Sequence, residues 1–149
     1  EGLGDLPAIE GDSEALQKVF SQLLSNAIKY TPDGGRITIS GRKLDANEKD
    51  LPDGGVEIVV KDTGIGIDPS LKELIFTKFF QSGEVSLHST GKTKYKGGGP
   101  GLGLPIARGI VEAHHGRLWL ESPGFDEISL PGSEFHVVLP ARQKVSAPV

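Results

Sequence analysis

Apolar residues in the first part of the chain recur at intervals of three and four, which is the spacing of one helix face. Gly11-Asp12-Ser13 precedes them as a turn with an N-cap, and Thr31-Pro32-Asp33-Gly34-Gly35 follows as a helix stop. We therefore predict a helix from Ser13 to about Tyr30. Its apolar stripe consists of Leu16, Val19, Phe20, Leu23, Leu24, Ala27 and Ile28.

Other stretches alternate between apolar and polar residues, which is typical of strands. Residues 36–42, with Ile37 and Ile39 on one face, and residues 56–60 are expected to pair as a hairpin. Residues 117–121 and 134–139 follow as two closing strands, and residues 5–9 form a short extended segment. The total is about five strands.

Two further helices are expected. A short one opens at Asp68-Pro69-Ser70 and ends at Leu74 or Ile75, and a longer one runs from about Gly101 to His115, with Gly116 capping it. The buried side of the longer helix is Leu104, Ile106, Ala107, Ile110 and Val111. The order of elements predicts an α+β two-layer sandwich, with a mixed sheet of about five strands and three helices on one face.

Length and composition narrow the class of protein. A chain of 149 residues is expected to form one domain over residues 1–140, with a tail over 141–149. The net charge of -4 argues against broad nucleic-acid binding, and the lack of Cys excludes disulfides and thiolate metal sites. The apolar runs are too short for a membrane span, and the start without Met suggests a fragment of a longer protein.

The first chemical signal is the glycine-rich run over residues 97–104, which leads into the last predicted helix. Glycines allow close backbone approach, and free amides at a helix start favour a phosphate, although a linker with a tight turn would have the same composition. A dinucleotide-binding fingerprint needs glycine at its first, third and sixth positions. Counted from Gly99 the sixth residue is Leu104, and counted from Gly101 it is Ile106, so the fingerprint is excluded. A Walker loop ending at Gly91-Lys92-Thr93 fails because it needs glycine where Ser86 stands.

The second signal is Asp62-Thr63-Gly64-Ile65-Gly66-Ile67 at the end of a predicted strand. An ionised Asp in an apolar pocket accepts a hydrogen bond from an exocyclic amine, which favours adenine over guanine. A plain turn ending a strand is the alternative.

The third signal lies on the first helix, where Gln22, Asn26 and Lys29 share a polar strip beside the apolar stripe. An Asn oxygen is a suitable ligand for Mg²⁺, and a lysine is suited to phosphate oxygens. An ordinary solvated helix face is the alternative.

Together these motifs resemble the superfamily shared by histidine kinases, type II topoisomerases, a class of heat-shock chaperones and mismatch-repair ATPases, known as GHKL proteins with the Bergerat ATP-binding fold. Residues 22–32 resemble the N box of histidine kinases, residues 62–67 their G1 box and residues 99–104 their G2 box. Phe76, Phe79 and Phe80 resemble the F box, and residues 132–135 the closing glycine motif.

The resemblance implies ATP and Mg²⁺ as cofactors and a role for each matching residue. Asn26 would bind Mg²⁺, Lys29 would contact phosphate as a second catalytic residue, and Asp62 would recognise the adenine amine. Tyr30 would border the nucleotide. The cofactor-binding set is Asn26, Lys29, Tyr30, Asp62, Gly64, Gly66, Ile67, Gly99, Gly101, Leu102, Gly103 and Leu104.

Two positions and one segment depart from the family pattern. Gln22 stands where hydrolysing relatives have a Glu base, and because an amide cannot deprotonate water, transfer is favoured over hydrolysis. Gln81 replaces an Arg that many histidine kinases carry after the F box. The long stretch over residues 81–100, expected to be a lid that orders on the γ-phosphate, offers Lys92, Lys94 and Lys96 as substitutes.

None of the four histidines has the sequence context of a phosphoacceptor. His88 is expected in the lid, His114 and His115 at a helix C-terminus and His136 on a strand, and their scattered positions argue against a zinc site built from these four.

These observations predict the catalytic domain of a two-component sensor histidine kinase. It would transfer the γ-phosphoryl of Mg-ATP to a histidine on a separate dimerisation domain, upstream of a response regulator, and is expected to be a cytoplasmic monomer as a fragment. The alternatives are an ATP hydrolase of the same superfamily and a nucleotide-gated interaction module. Contacts with nucleic acid or membrane are not expected.

Overall fold

The computed structural model describes residues 6, 8–77, 103–126 and 128–142. Within these ranges the chain forms two α-helices, four strands and three short 3-10 turns. The helices and strands are α1 (Ser13–Tyr30), β1 (Ile37–Leu44), β2 (Gly55–Asp62), α2 (Gly103–Ala113), β3 (Arg117–Glu121) and β4 (Ser133–Pro140). The 3-10 turns are Glu48–Asp50, Pro69–Leu71 and Leu74–Phe76. Neither α-helix of the described residues has the length and apolar content needed to cross a bilayer.

The four strands form one sheet in the order β1-β2-β4-β3, with antiparallel pairing at each of its three boundaries. The α+β fold and the β1–β2 hairpin are confirmed, but the described sheet is antiparallel rather than mixed. Strands β2 and β3 lie on either side of α2 in the chain and run in the same direction, since both are antiparallel to β4. In the structure β4 lies between them, so these two strands do not pair.

The fifth expected strand, over residues 5–9, is not formed by those of its residues that the structure describes. Leu6 and Ile9 instead pack against the core as partly buried side chains. The Glu10 amide donates to the carbonyl of Ala141 at 3.0 Å, just beyond the end of β4. The described residues of this segment are thus attached to the core by apolar side chains.

Helix α1 begins where the sequence predicted. Asp12 is the N-cap, and its carboxylate accepts a hydrogen bond from the Ala15 amide at 3.1 Å. Val19, Leu23 and Ala27, spaced at four residues, are buried against the sheet, whereas Ile28 at the edge of the predicted stripe is 65% exposed.

Two consecutive 3-10 turns replace the predicted short helix, and they form the third helical element of that layer. Asp68 caps the first by accepting from the Ser70 amide at 2.9 Å, and Pro69 follows it as the sequence indicated. Ile75 and Phe76 in the second turn are buried in the core.

Helix α2 buries Ala107 and Val111, but Ile106 is 54% exposed rather than buried as expected, because it borders an open groove beside α1. The cap of α2 also differs from the prediction. His115, not Gly116, takes the left-handed conformation, with φ of 65°. Gly116 follows and donates to the Val111 carbonyl at 2.9 Å, which is the pattern of a Schellman motif.

The hydrophobic core lies between the sheet and the helical layer. Each strand contributes alternate residues to it, so the other residues of each strand face away from the helices. The buried core residues of the helical elements are Val19, Leu23, Ala27, Ile75, Phe76, Ala107 and Val111, and those of the strands are Val56, Val60, Leu118, Leu120, Phe135, Val137 and Leu139.

Candidate functional site

Asp62, the last residue of β2, is a buried carboxylate with an exposed fraction of only 3%. Its Oδ1 accepts from the Gly64 amide and its Oδ2 from the Ser133 hydroxyl, both at 2.9 Å. Burial raises the pKa of Asp62, and the hydrogen bonds from Gly64 and Ser133 oppose that shift. The Ser133 backbone amide also donates a hydrogen bond to this carboxylate. Because a carboxylate has about four acceptor positions, one remains for a ligand donor.

The glycines after Asp62 are required by close backbone contacts. A Cβ on Gly64 would lie 2.1 Å from the carbonyl oxygen of Tyr30, at the end of α1. Gly66 has a φ of 75° and forms a bridge with Phe125. This turn therefore brings the end of β2 against the end of α1, and it leaves the Ile67 side chain largely buried in the core.

Asn26 lies on the polar strip of α1 with 6% of its surface exposed. Its Oδ1 accepts from the Gln22 amide nitrogen at 3.3 Å, one turn earlier. Lys29 and Tyr30 follow at the helix end and are half-buried, and the Tyr30 carbonyl accepts from the Ile65 amide at 3.1 Å. The predicted strip is thus oriented by Gln22 and joined by the backbone to the segment after Asp62.

The described part of α2 begins at Gly103, directly against α1. A Cβ on Gly103 would lie 2.2 Å from the Gln22 side chain, so glycine allows the two helices to approach at this point. Leu104 packs against the core. Gln22 therefore contacts both Asn26 and the start of α2. Gly99, Gly101 and Leu102, together with Phe79, Phe80, Gln81 and the expected lid, lie outside the described residues.

Phe76 is the one F-box residue that the described ranges include. Its ring meets Phe135 edge-on at 6.3 Å, and the Arg108 guanidinium lies 4.7 Å from its centroid. Arg108 also pairs with Glu73 at 3.0 Å. These contacts attach the second 3-10 turn to α2.

Two serines that the sequence analysis did not single out organise this region. Ser133 donates to Asp62, as described above. The Ser122 hydroxyl lies 2.8 Å from the Gly132 carbonyl and 3.0 Å from the Ile67 amide, so it joins the closing glycine motif to the turn after Asp62. The closing motif contained Ser133 as a signal, whereas nothing near Ser122 in the sequence indicated its contacts.

The arrangement has two chemically distinct ends that α1 connects. A buried carboxylate suited to an amine donor lies at the end of β2, and an amide oxygen with one hydrogen bond lies near the start of α2. The site residues of the described chain are brought together by contacts of α1 with both segments: Tyr30 with Gly64, and Gln22 with Gly103.

A family model for the histidine kinase-, DNA gyrase B- and HSP90-like ATPase matches residues 11–143. The chain belongs to this family. The match includes the segments that carry Asn26 and Asp62 and the start of α2.

Curated relatives are sensor kinases. The chain is 36% identical over 137 residues to the adaptive-response sensory kinase SasA of Microcystis aeruginosa, covering 91% of this chain and 30% of that protein. It is 38% identical over 114 residues to the sensor histidine kinase WalK of Bacillus subtilis, covering 76% and 16% respectively. The chain thus spans at most about a third of these relatives.

Solved structures give the same result. The mycobacterial sensor histidine kinase MprB matches with a TM-score of 0.70 and 32% identity, over 91% of this chain and 76% of that one. Full-length ShkA in complex with AMPPNP matches with a TM-score of 0.68 and 25% identity, over 97% of this chain and 25% of that one. The fold of this chain is therefore that of a histidine kinase ATPase domain.

Proposed function

We propose that this chain is the domain of a sensor histidine kinase that binds Mg-ATP and transfers its γ-phosphoryl to a histidine on a separate dimerisation domain. The observation that supports the proposal is the contact of α1 with both the Asp62 turn and Gly103, the first described residue of α2. Kinase relatives, and a similar structure that contains the ATP analogue AMPPNP, support the same activity.

Asp62 would select adenine. Its two oxygens are fixed by Gly64 and Ser133, so the carboxylate is held in one orientation before any nucleotide binds. The 6-amino group of adenine is a donor, whereas guanine has a carbonyl at that position, which would oppose the carboxylate. GTP should therefore bind much more weakly than ATP.

Asn26 would hold the metal. Of the two lone pairs on Oδ1, one accepts from Gln22, which leaves one for a cation. Because Mg²⁺ commonly takes one or two protein ligands and completes its shell with waters and phosphate oxygens, a single amide oxygen fits this ion. The bound ion would neutralise charge on the phosphates, while Lys29 and the glycine-rich segment that ends at Gly103 would orient them.

Gln22 favours transfer to a protein side chain over hydrolysis. It occupies the position from which a Glu activates water in hydrolysing relatives, and its amide is engaged with Asn26. An amide cannot accept a proton from water at neutral pH, so the hydrolase alternative lacks a base at this position.

The phosphoacceptor would come from another domain. The two ring nitrogens of His114 contact the Asp12 amide and the Ile110 carbonyl, each at 2.9 Å. Those of His136 face glutamates on the side of the sheet away from the helices. These two engaged histidines are poorly suited to attack a phosphorus atom at the site. A response regulator would then receive the phosphoryl group.

Labelled ATP tests the proposal when the domain is incubated alone and with a dimerisation segment that contains the phosphoacceptor. We expect label on the segment and little free phosphate. Asn26→Ala should abolish labelling while the fold is retained, and Ser25→Ala, an exposed position on the same helix, is the matched control. Rapid hydrolysis without transfer would favour the hydrolase, and ATP binding with neither reaction would favour the interaction module.

A further inference from the structure

The sheet face opposite the helices carries a polar cluster that the proposed kinase site does not use. Glu121 on β3 lies directly across from Glu134 on β4, and Trp119 lies across from His136. Two carboxylates at directly opposed positions of adjacent strands repel each other. A positive charge between them would remove this cost.

His136 directs its ring into the space between these carboxylates. Nδ1 lies 3.2 Å from Oε2 of Glu57 on β2, and Nε2 lies 3.1 Å from Oε1 of Glu134 and 3.6 Å from Oε1 of Glu121. A neutral imidazole has one N–H donor and one lone pair. If Nδ1–H donates to Glu57, the lone pair of Nε2 faces two carboxylate oxygens, and the three atoms lie within 4.8 Å of one another.

Each of these side chains is held by a second partner on its other polar atom. Trp119 Nε1 donates to Oε2 of Glu121 at 3.0 Å, and Lys61 Nζ lies 3.6 Å from Oε2 of Glu134. Arg42 Nε donates to Oε1 of Glu57 at 3.1 Å. The Trp119 ring stacks on His136 at 5.0 Å with an angle of 8° between planes, which fixes the imidazole orientation.

We propose that His136 Nε2, Glu121 and Glu134 form a binding site for a divalent transition-metal ion on the open face of the sheet. One imidazole and two carboxylates suit Zn²⁺ and similar ions, with water completing the coordination. Glu57 then forms the carboxylate–histidine–metal arrangement that orients such ligands, and it is only 8% exposed.

A surface cavity would give the ion access to the site, and the bound ion would cross-link the strands. Lys61, Trp119, Glu121 and Glu134 line a surface cavity of about 500 Å³, and Asp62 and Ser133 border the same cavity. Bound metal would join β3 to β4 by side-chain ligands, and through Glu57 it would also constrain β2. The proposed metal ligands are not among the residues proposed to bind nucleotide, so metal binding is measured without nucleotide and without a kinase assay.

Trp119 is the only tryptophan of the chain, and its contacts with His136 and Glu121 make it a reporter of this site. Tag-free, nucleotide-free protein is titrated with Zn²⁺ by calorimetry in millimolar Mg²⁺, and with Co²⁺ by tryptophan fluorescence. By calorimetry we expect one saturable Zn²⁺ equivalent that requires His136. Co²⁺ should quench the tryptophan fluorescence, and added Zn²⁺ should reverse the quenching. The thermal unfolding midpoint should rise with Zn²⁺ concentration.

Glu121→Gln should weaken Zn²⁺ binding at least tenfold, and its side chain is exposed enough that the variant should fold. His136→Asn should abolish binding. His115→Asn is the matched control, because it removes an exposed histidine while Asn tolerates the left-handed backbone there. Absence of saturable binding, or binding that His136→Asn leaves unchanged, would overturn the proposal.

Discussion

The two faces of the sheet contain alternate residues of the same strands, yet they have different chemistry. On β4, Phe135 and Val137 face the helices and are buried in the core, whereas Glu134 and His136 face the other way and contact Lys61 and Glu57 respectively. On the covered face, Gly64 closely approaches the Tyr30 backbone and Gly103 closely approaches the Gln22 side chain. On the open face, charged side chains pair with each other. Substitutions of site residues on the covered face should therefore affect ATP affinity, whereas substitutions on the open face should affect stability or metal binding and leave ATP affinity unchanged.

The largest effect is expected from Gly64→Ala on the covered side. The added Cβ would meet the Tyr30 carbonyl oxygen at 2.1 Å, and backbone atoms cannot move aside cheaply. We expect the free energy of unfolding to fall by roughly 3 kcal/mol, measured by urea denaturation. Gly109→Ala is the control, because nothing lies within 4 Å of its added Cβ on α2, and it should stabilise the protein by about 0.5–1 kcal/mol. Equal effects of both substitutions would contradict the account of the Asp62 turn.

Asp62→Asn and Glu57→Gln compare the two faces on one strand. Asp62→Asn should weaken ATP binding by roughly 10- to 100-fold, the equivalent of one charge-assisted hydrogen bond, because the amide no longer offers two ionised acceptors. Glu57→Gln should lower stability and leave ATP affinity unchanged, because the partners of Glu57 among the described residues are Arg42 and His136 on the open face. Calorimetry with ATP and thermal unfolding of both variants test this difference between the faces. A Glu57→Gln variant that changes ATP affinity as much as Asp62→Asn does would contradict it.

Asp62→Asn should also raise stability at neutral pH. Since burial raises the pKa of Asp62 above its ordinary value of 3.8, the charged carboxylate destabilises the fold at pH values above the raised pKa. That cost disappears as the pH falls through the raised pKa toward 3.8, so the advantage of the Asn variant should shrink in acid. A thermal unfolding series across pH measures this difference, and an advantage that grows in acid would show that the sign is wrong.

Ser133→Ala should have a smaller effect on the same carboxylate. Loss of the hydroxyl donor should weaken the binding free energy of ATP by about 1 kcal/mol, which corresponds to roughly a fivefold loss of affinity. Because the Ser133 hydrogen bond lowers the pKa of Asp62, its removal should raise that pKa further, and ATP affinity should begin to fall at a higher pH than in the native protein. ATP titrations at a series of pH values test this. An unchanged pH profile of ATP affinity would show that Ser133 does not influence the Asp62 carboxylate.

The smallest effect is expected from Trp119→Phe on the open face. The substitution keeps an aromatic ring against His136 and removes the indole N–H that donates to Glu121. In the absence of metal we expect less than about 0.5 kcal/mol of change in unfolding free energy, because Glu121 is exposed and remains hydrated. ATP affinity should not change. A loss of ATP affinity would show that the two faces are coupled.

The sequence by itself determined the elements with clear periodicity and the chemistry of the ordered motifs. The spacing of Val19, Leu23 and Ala27 predicted α1, alternation predicted the four described strands, and the motifs around Asn26 and Asp62 led to the histidine kinase family, which the comparisons confirm. These signals are local, since a helix face or a strand face repeats within a few residues. The individual site roles of Asn26, Lys29 and Asp62 stay predictions.

The tertiary structure decided the features that depend on residues far apart in the chain. The insertion of β4 between β2 and β3 made the described sheet antiparallel, and it brought Ser133 to Asp62 across 71 positions. The same pairing placed Glu134 opposite Glu121 and aimed His136 at Glu57, which their separations along the chain did not indicate. Strand order fixes these contacts, and the periodicity of one segment carries no information about which strand lies beside it.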